Sequence, residues 1–73
     1  MSYTAHAYRD MSGIFSGQVD EITGSLHMTE DEVEIAVETV QIIVSRVADV
    51  FEKDNPHGFD RVRFMTDSKV EAD

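Results

Sequence analysis

The chain of 73 residues carries 15 acidic against 6 basic side chains, a net charge of −9, and no cysteine. That balance argues against direct nucleic-acid binding, which depends on Lys and Arg neutralising phosphates, and against the disulfide framework of small secreted domains. One domain, residues 1–73, is expected; because so short a chain buries only about 60% of its unfolded surface, self-association or docking on a partner should supplement its core.

In the first segment Tyr8, Met11, Phe15, Val19, Ile22 and Leu26 recur at three- and four-residue steps, a helical period that predicts a helix over about 4–23. Gly13 and Gly17 weaken it by about 1 kcal/mol each relative to Ala, which leaves open a break there. A short hairpin on Ile14-Phe15 and Val19-Asp20-Glu21-Ile22 is the alternative. Gly24-Ser25 supplies a turn.

Residues 30–53 read as one long amphipathic helix. Thr29-Glu30-Asp31-Glu32 is a capping box, three acids occupy the first turn, and no Gly or Pro intervenes before Pro56. At about 100° per residue, Val33, Ala36, Val37, Val40, Ile43, Val44, Val47, Val50 and Phe51 form one broad apolar face, expected to be the core. Glu34, Glu38, Gln41, Ser45, Asp49 and Glu52 form the wet side. Ile35 and Ile42 fall outside both groups, on a flank with Thr39 and Arg46. They mark a second packing surface, expected to be an oligomer interface, so that the helix touches two neighbours.

Pro56 ends the helix. Asn55-Pro56-His57-Gly58 has turn chemistry, with Asn55 a suitable cap for a following helix that has Pro56 at its first position. The short element over 56–66 is expected to be a helix burying Phe59, Val62 and Met65; an edge strand burying Val62 and Phe64 is the alternative. Residues 67–73 are polar and expected to fray.

Several chemical readings fail on spacing. Placing Gly58 sixth in a calcium loop puts Lys53 first and Phe64 twelfth, where carboxylates are required. Glu30, Glu34 and Glu38 share a helical face but lack a Glu-x-x-His companion, and His6, His27 and His57 have no ligand spacing. Gly13-Ile14-Phe15-Ser16-Gly17 merely permits close approach of another backbone. No catalytic, cofactor-binding or metal-ligating residue is assigned, and a non-enzyme is expected. Two features suit a protein partner. Residues 1–38 hold eight acids against Arg9 alone, whereas residues 39–73 hold seven against five bases, so Asp31, Glu34 and Glu38 could meet a basic protein surface. Phe59, Arg61 and Arg63 join residue types enriched at interfaces. The plainer readings are a solvated face for the acids and, for the cluster, Asp60 capping a helix with the arginines paired to the acidic long helix.

Residues 48–65, with Phe51, Asp54-Asn55-Pro56, Phe59-Asp60 and Arg63-Phe64, resemble a C-terminal signature of small, mostly uncharacterised phage and prophage proteins. There a helix ending in Phe is followed by Asp-Asn-Pro, Phe-Asp and Arg-Phe. Gly58 is an extra turn residue here, and Thr66-Asp67 stands where the group has Ala-Cys. The resemblance covers about a quarter of the chain. It implies helical structure and a phage-type accessory protein, and it brings no catalytic residues.

The expected fold is therefore all-α, a small helical hairpin or bundle with one long amphipathic helix and a short C-terminal helix or turn. The start Met-Ser-Tyr-Thr-Ala-His has no signal-peptide character, and no apolar run approaches the roughly 18 residues of a membrane span. A cytoplasmic protein without membrane contact is expected, in the host cytoplasm if phage-encoded. Its expected role is to bind a host or phage macromolecule, as an inhibitor of a defence or transcription complex; the alternative is a structural or assembly subunit acting through helix-mediated oligomerisation.

Overall fold

The computed structural model describes residues 4–72, which form three helices: α1, Ala5–Thr23; α2, Glu30–Asp54; and α3, Arg61–Asp67. There is no strand among the described residues, so the hairpin and edge-strand alternatives are not realised.

α1 begins at the Thr4 cap, whose Oγ1 accepts from the Ala7 N–H at 3.2 Å. It runs unbroken through both glycines, because Phe15 and Val19 are buried on its inner face with Tyr8, Met11 and Ile22 packed beside them. A Cβ at Gly13 or Gly17 would meet nothing within 4 Å. Their spacing therefore serves no backbone approach among the described residues. Gly24 closes the helix, donating to the Asp20 carbonyl at 2.9 Å.

α2 carries the capping box in full: the Glu32 N–H donates to Thr29 Oγ1 at 3.2 Å, and the Thr29 N–H donates to Glu32 Oε1 at 3.0 Å. Twenty-five residues at 1.5 Å each give a rod of about 37 Å, close to the molecule's longest extent of 41 Å. Tyr8, near the start of α1, lies 4.8 Å between ring centroids from Phe51, near the end of α2. The two helices are therefore antiparallel.

The expectation that Asn55 caps the last helix, with Pro56 first in it, is corrected. Asn55 terminates α2, and its side chain is spent on the turn, where Oδ1 accepts from Gly58 N–H at 3.1 Å. A Cβ at Gly58 would run into that side-chain amide. Helix α3 starts later, with Asp60 Oδ1 accepting from the Arg63 N–H at 3.0 Å. This register buries Phe64 and Met65 and leaves Val62 exposed, while Phe59 enters the core from ahead of the helix.

Residues 68–70 are tied down and not frayed, contrary to expectation, and Asp73 lies outside the described residues. Val70 N–H donates to the Met65 carbonyl at 3.1 Å and Lys69 N–H to that of Thr66 at 3.0 Å, with Lys69 left-handed at φ 63°. That is a Schellman closure, completed by burial of both Met65 and Val70. Ser68 is also buried and donates to the Phe64 carbonyl at 2.8 Å. Lys69 Nζ reaches both oxygens of Asp20 at 2.8 Å, and Gln41 donates to the Glu71 carbonyl at 3.2 Å.

This C-terminal segment also corrects the core face of α2. The buried residues are Val40, Val44, Ala48 and Phe51; Ile43 and Val50 are exposed, and Gln41 and Ser45 are half-buried. α3 and its tail cover the Gln41–Ser45 side of the helix, which turns the buried arc away from Ile43 and Val50. Rings from all three helices and the turn form the base of the core. Phe51 and Phe64 stand at 5.4 Å and 89°, Phe59 and Phe64 at 5.4 Å, and Phe15 and Phe64 at 6.4 Å. The two edge-to-face pairs, of Phe64 with Phe51 and with Phe15, add about 0.5–1.5 kcal/mol each beyond area burial.

Candidate functional site

α2 displays its functional candidates on the surfaces left over after α1 and α3 have packed. Asp31, Glu34 and Glu38 are all exposed. No side-chain hydrogen bond or ion pair reaches any of the three among the described residues. Residues 20–38 hold seven acids and no Lys or Arg, and only Asp20 among them is ion-paired within the described residues, to Lys69. Glu32 belongs to the same surface and already has structural work: the hydrogen bonds from Thr29, its backbone N–H foremost, hold the carboxyl below the ordinary Glu value.

The candidate cluster of Phe59, Arg61 and Arg63 divides. Phe59 is part of the core, within 4.9 Å of the Tyr8 ring and 5.6 Å of Phe51. Arg61 folds back on α2, with Nη1 at 2.7 Å from Asp49 Oδ1 and 3.9 Å from Glu52, while Nη2 donates to the carbonyl and hydroxyl of Ser45. Arg63 alone faces outward, 3.7 Å from Asp67. The arrangement ties the turn to the long helix and leaves one of the three side chains available at the surface.

Ile35 and Ile42 are exposed, and no part of the described chain covers them. α2 does touch two neighbours, but these are α1 and α3, on other faces. Ile43 and Val50, assigned to the core from their spacing, stand instead on the same outer flank as Ile35 and Ile42. Beside them a shallow groove runs along the helix between Glu38, Ile42, Arg46 and Asp49.

A pocket of about 190 Å³ lies where α1 meets the turn and α3, lined by Tyr8, Arg9, Ser12, Asp60, Arg63 and Asp67 among others. It is smaller than the roughly 300–1,000 Å³ of small-molecule sites. The Tyr8 hydroxyl is buried with no partner among the described residues, and Asp60 and the Arg63–Asp67 pair are occupied within the chain. Among the described residues no three His, Asp or Glu side chains gather to hold a metal ion, and no helix is long and apolar enough to cross a membrane. Comparison with protein-family models, with curated proteins and with solved structures returns no match.

Proposed function

We propose that the chain is a non-enzymatic accessory protein that binds a basic surface of a protein partner through the outer face of the first half of α2, led by Asp31, Glu34 and Glu38. The observation that carries this reading is the unpaired state of those carboxylates on a helix whose other charged side chains are partly tied into the fold, Asp49 and Glu52 to Arg61. Unpaired exposed charges of one sign raise the local potential and steer a partner of opposite sign, and association becomes fast and salt-dependent. A groove that normally holds nucleic acid is one such surface, and competing for it would inhibit a defence or transcription complex. The resemblance of residues 48–65 to phage and prophage proteins supports a virus-type setting in the host cytoplasm. A second element of the reading is self-association through the flank of Ile35 and Ile42, favoured by their exposure.

The test is capture from a host lysate with the wild type and with a Glu34→Lys/Glu38→Lys variant, each at low and high salt. Basic proteins retained by the wild type at low salt, and lost with either the reversal or the salt, are the expected result, since exposed charges are screened beyond about 10 Å at 0.1 M. Retention indifferent to both would make the face a solvated one.

A further inference from the structure

The outer flank of α2 carries a continuous exposed apolar stripe with charges of opposite sign at its two ends. Ile35, Ile42, Ile43 and Val50 are 64%, 56%, 48% and 53% exposed, and all four fall within an arc of about 100° when drawn at 100° per residue. Thr39 and Arg46 lie inside the same arc, and Glu32 and Lys53 continue it at either end. Along the chain these eight positions step by 3, 4, 3, 1, 3, 4 and 3 residues. Any arc of an α-helix repeats its spacing in both directions about its midpoint, here between Ile42 and Ile43; what is particular to this arc is its chemistry, in which Ile42 answers Ile43, Ile35 answers Val50 and Glu32 answers Lys53, while Thr39 answers Arg46.

A two-fold contact between antiparallel helices is suited by such chemistry, because each residue at one distance above the axis lies level with the residue at that distance below it on the other copy. We propose that α2 pairs with α2 of a second copy of this chain, antiparallel, about a two-fold axis passing between Ile42 and Ile43. This deepens the self-association element of the proposed function and rests on it. The four isoleucines at positions 42 and 43 of the two copies meet at the axis. Further out, Ile35 of one copy fits among Arg46, Asp49, Val50 and Lys53 of the other, which are the i, i+3, i+4 and i+7 corners of a hole on a helix surface. The shallow groove beside Ile42 and Arg46 receives the second copy's Ile42.

Charge selects both the occupant and the direction. Arg46 and Lys53 make no ion pair among the described residues, although α2 is rich in acids. The helix has its acids in the first half and these two bases in the second. Antiparallel pairing about this axis sets Arg46 level with Thr39 of the other copy and one residue from its Glu38, and Lys53 level with Glu32 and one residue from Asp31. Parallel pairing in register would set Arg46 on Arg46 and Glu38 on Glu38, and like charges brought together oppose association. Glu34 points away from this contact in either case. In the dimer Asp31 and Glu38 lie at the rim beside Lys53 and Arg46 of the second copy, and of the three carboxylates Glu34 stays wholly open to a third molecule, on both sides of the dimer.

Sedimentation over a range of concentrations tests the pairing, with circular dichroism as the check that each variant stays helical. The wild type should sediment as a dimer, and Ile43→Asp should shift it to monomer with its helicity kept. Arg46→Glu should weaken the dimer at least tenfold, and Arg46→Glu/Glu38→Arg should restore most of that loss; Ile43→Thr/Val50→Thr gives a milder apolar test if the aspartate variant loses helicity. A wild type that stays monomeric at millimolar concentration overturns self-association and the pairing together. A dimer that is insensitive to Ile43 and unrestored by the charge exchange overturns the antiparallel pairing and leaves self-association through another surface.

Discussion

The two ends of the hairpin are built on different physics. At the open end, Tyr8, Phe15, Phe51, Phe59 and Phe64 interlock across α1, α2, the turn and α3, and nearly every buried side chain lies there or in the middle of the molecule. At the closed end, Ile22, Met28, Val33, Ala36 and Val37 are no more than half-buried and Leu26 is exposed, because only two helices meet. α3 and the tail reach Asp20 and Gln41 but no further along the described chain. Stability should therefore be concentrated at the aromatic end. The tip, with its exposed carboxylates, gives up burial for a charged surface, and its order rests on local devices such as the Thr29–Glu32 box.

Truncation at the aromatic end should produce the largest loss. Phe51→Ala or Phe64→Ala should cost about 3–5 kcal/mol, measured by urea denaturation, and in so small a domain that approaches complete unfolding. Val33→Ala at the tip should cost well under half as much. Equal losses would erase the contrast. Next in size is Gly58→Ala, which should destabilise by about 1–3 kcal/mol as the new methyl forces Asn55 out of its turn; an Asn55→Ala/Gly58→Ala double variant should cost less than the sum of the two singles.

Smaller effects sharpen the picture of the tip. Thr29→Ala should cost about 1 kcal/mol and loosen the first turns of α2 without disturbing the rings. Glu32 gives this cap a pH dependence. Its folded-state pKa is lowered by the bonds from Thr29, so its contribution is fully present above the unfolded value and is lost as the pH falls through the lowered folded value. Acid melting curves of wild type and Glu32→Gln should converge below that range and separate above it. In the opposite direction, Gly13→Ala and Gly17→Ala should each stabilise the chain by up to about 1 kcal/mol, since the added methyl meets open space and the unfolded chain loses freedom.

The helical fold could be read in the sequence where local chemistry alone decides it. Thr29 and Glu32 start α2 wherever α2 happens to pack, and Pro56 with Asn55 stops it. Which arc of α2 is buried could not be read in that way. Ala48 is too small to signal a core position, and whether Ile43 and Val50 or Gln41 and Ser45 lie under cover depends on the side that α3 chooses. The tail shows the same limit: Ser68 and Lys69 look like fraying residues, and the Schellman closure uses Lys69 where a Gly or Asn would have announced it. Among the candidate site residues, the carboxylates of Asp31, Glu34 and Glu38 sit at the surface as their spacing implied. Phe59 and Arg61 do not, because aromatic and arginine residues serve an intramolecular joint as readily as an interface. Ile43 and Val50 join Ile35 and Ile42 in one exposed stripe, which can be recognised only once the other faces of α2 are known to be occupied.

Residue-resolved hydrogen exchange, at dilutions where the chain is monomeric, compares the two ends within a single molecule. Amides of Val44, Ala48 and Phe51 should exchange only through global unfolding, while those of Val37, Glu38 and their neighbours towards the tip should open at clearly lower free energy, and Thr29→Ala should lower only the latter. Uniform protection along α2, with the tip as slow as the aromatic end, would contradict the division of the molecule into a stabilising base and a charged, marginally held tip.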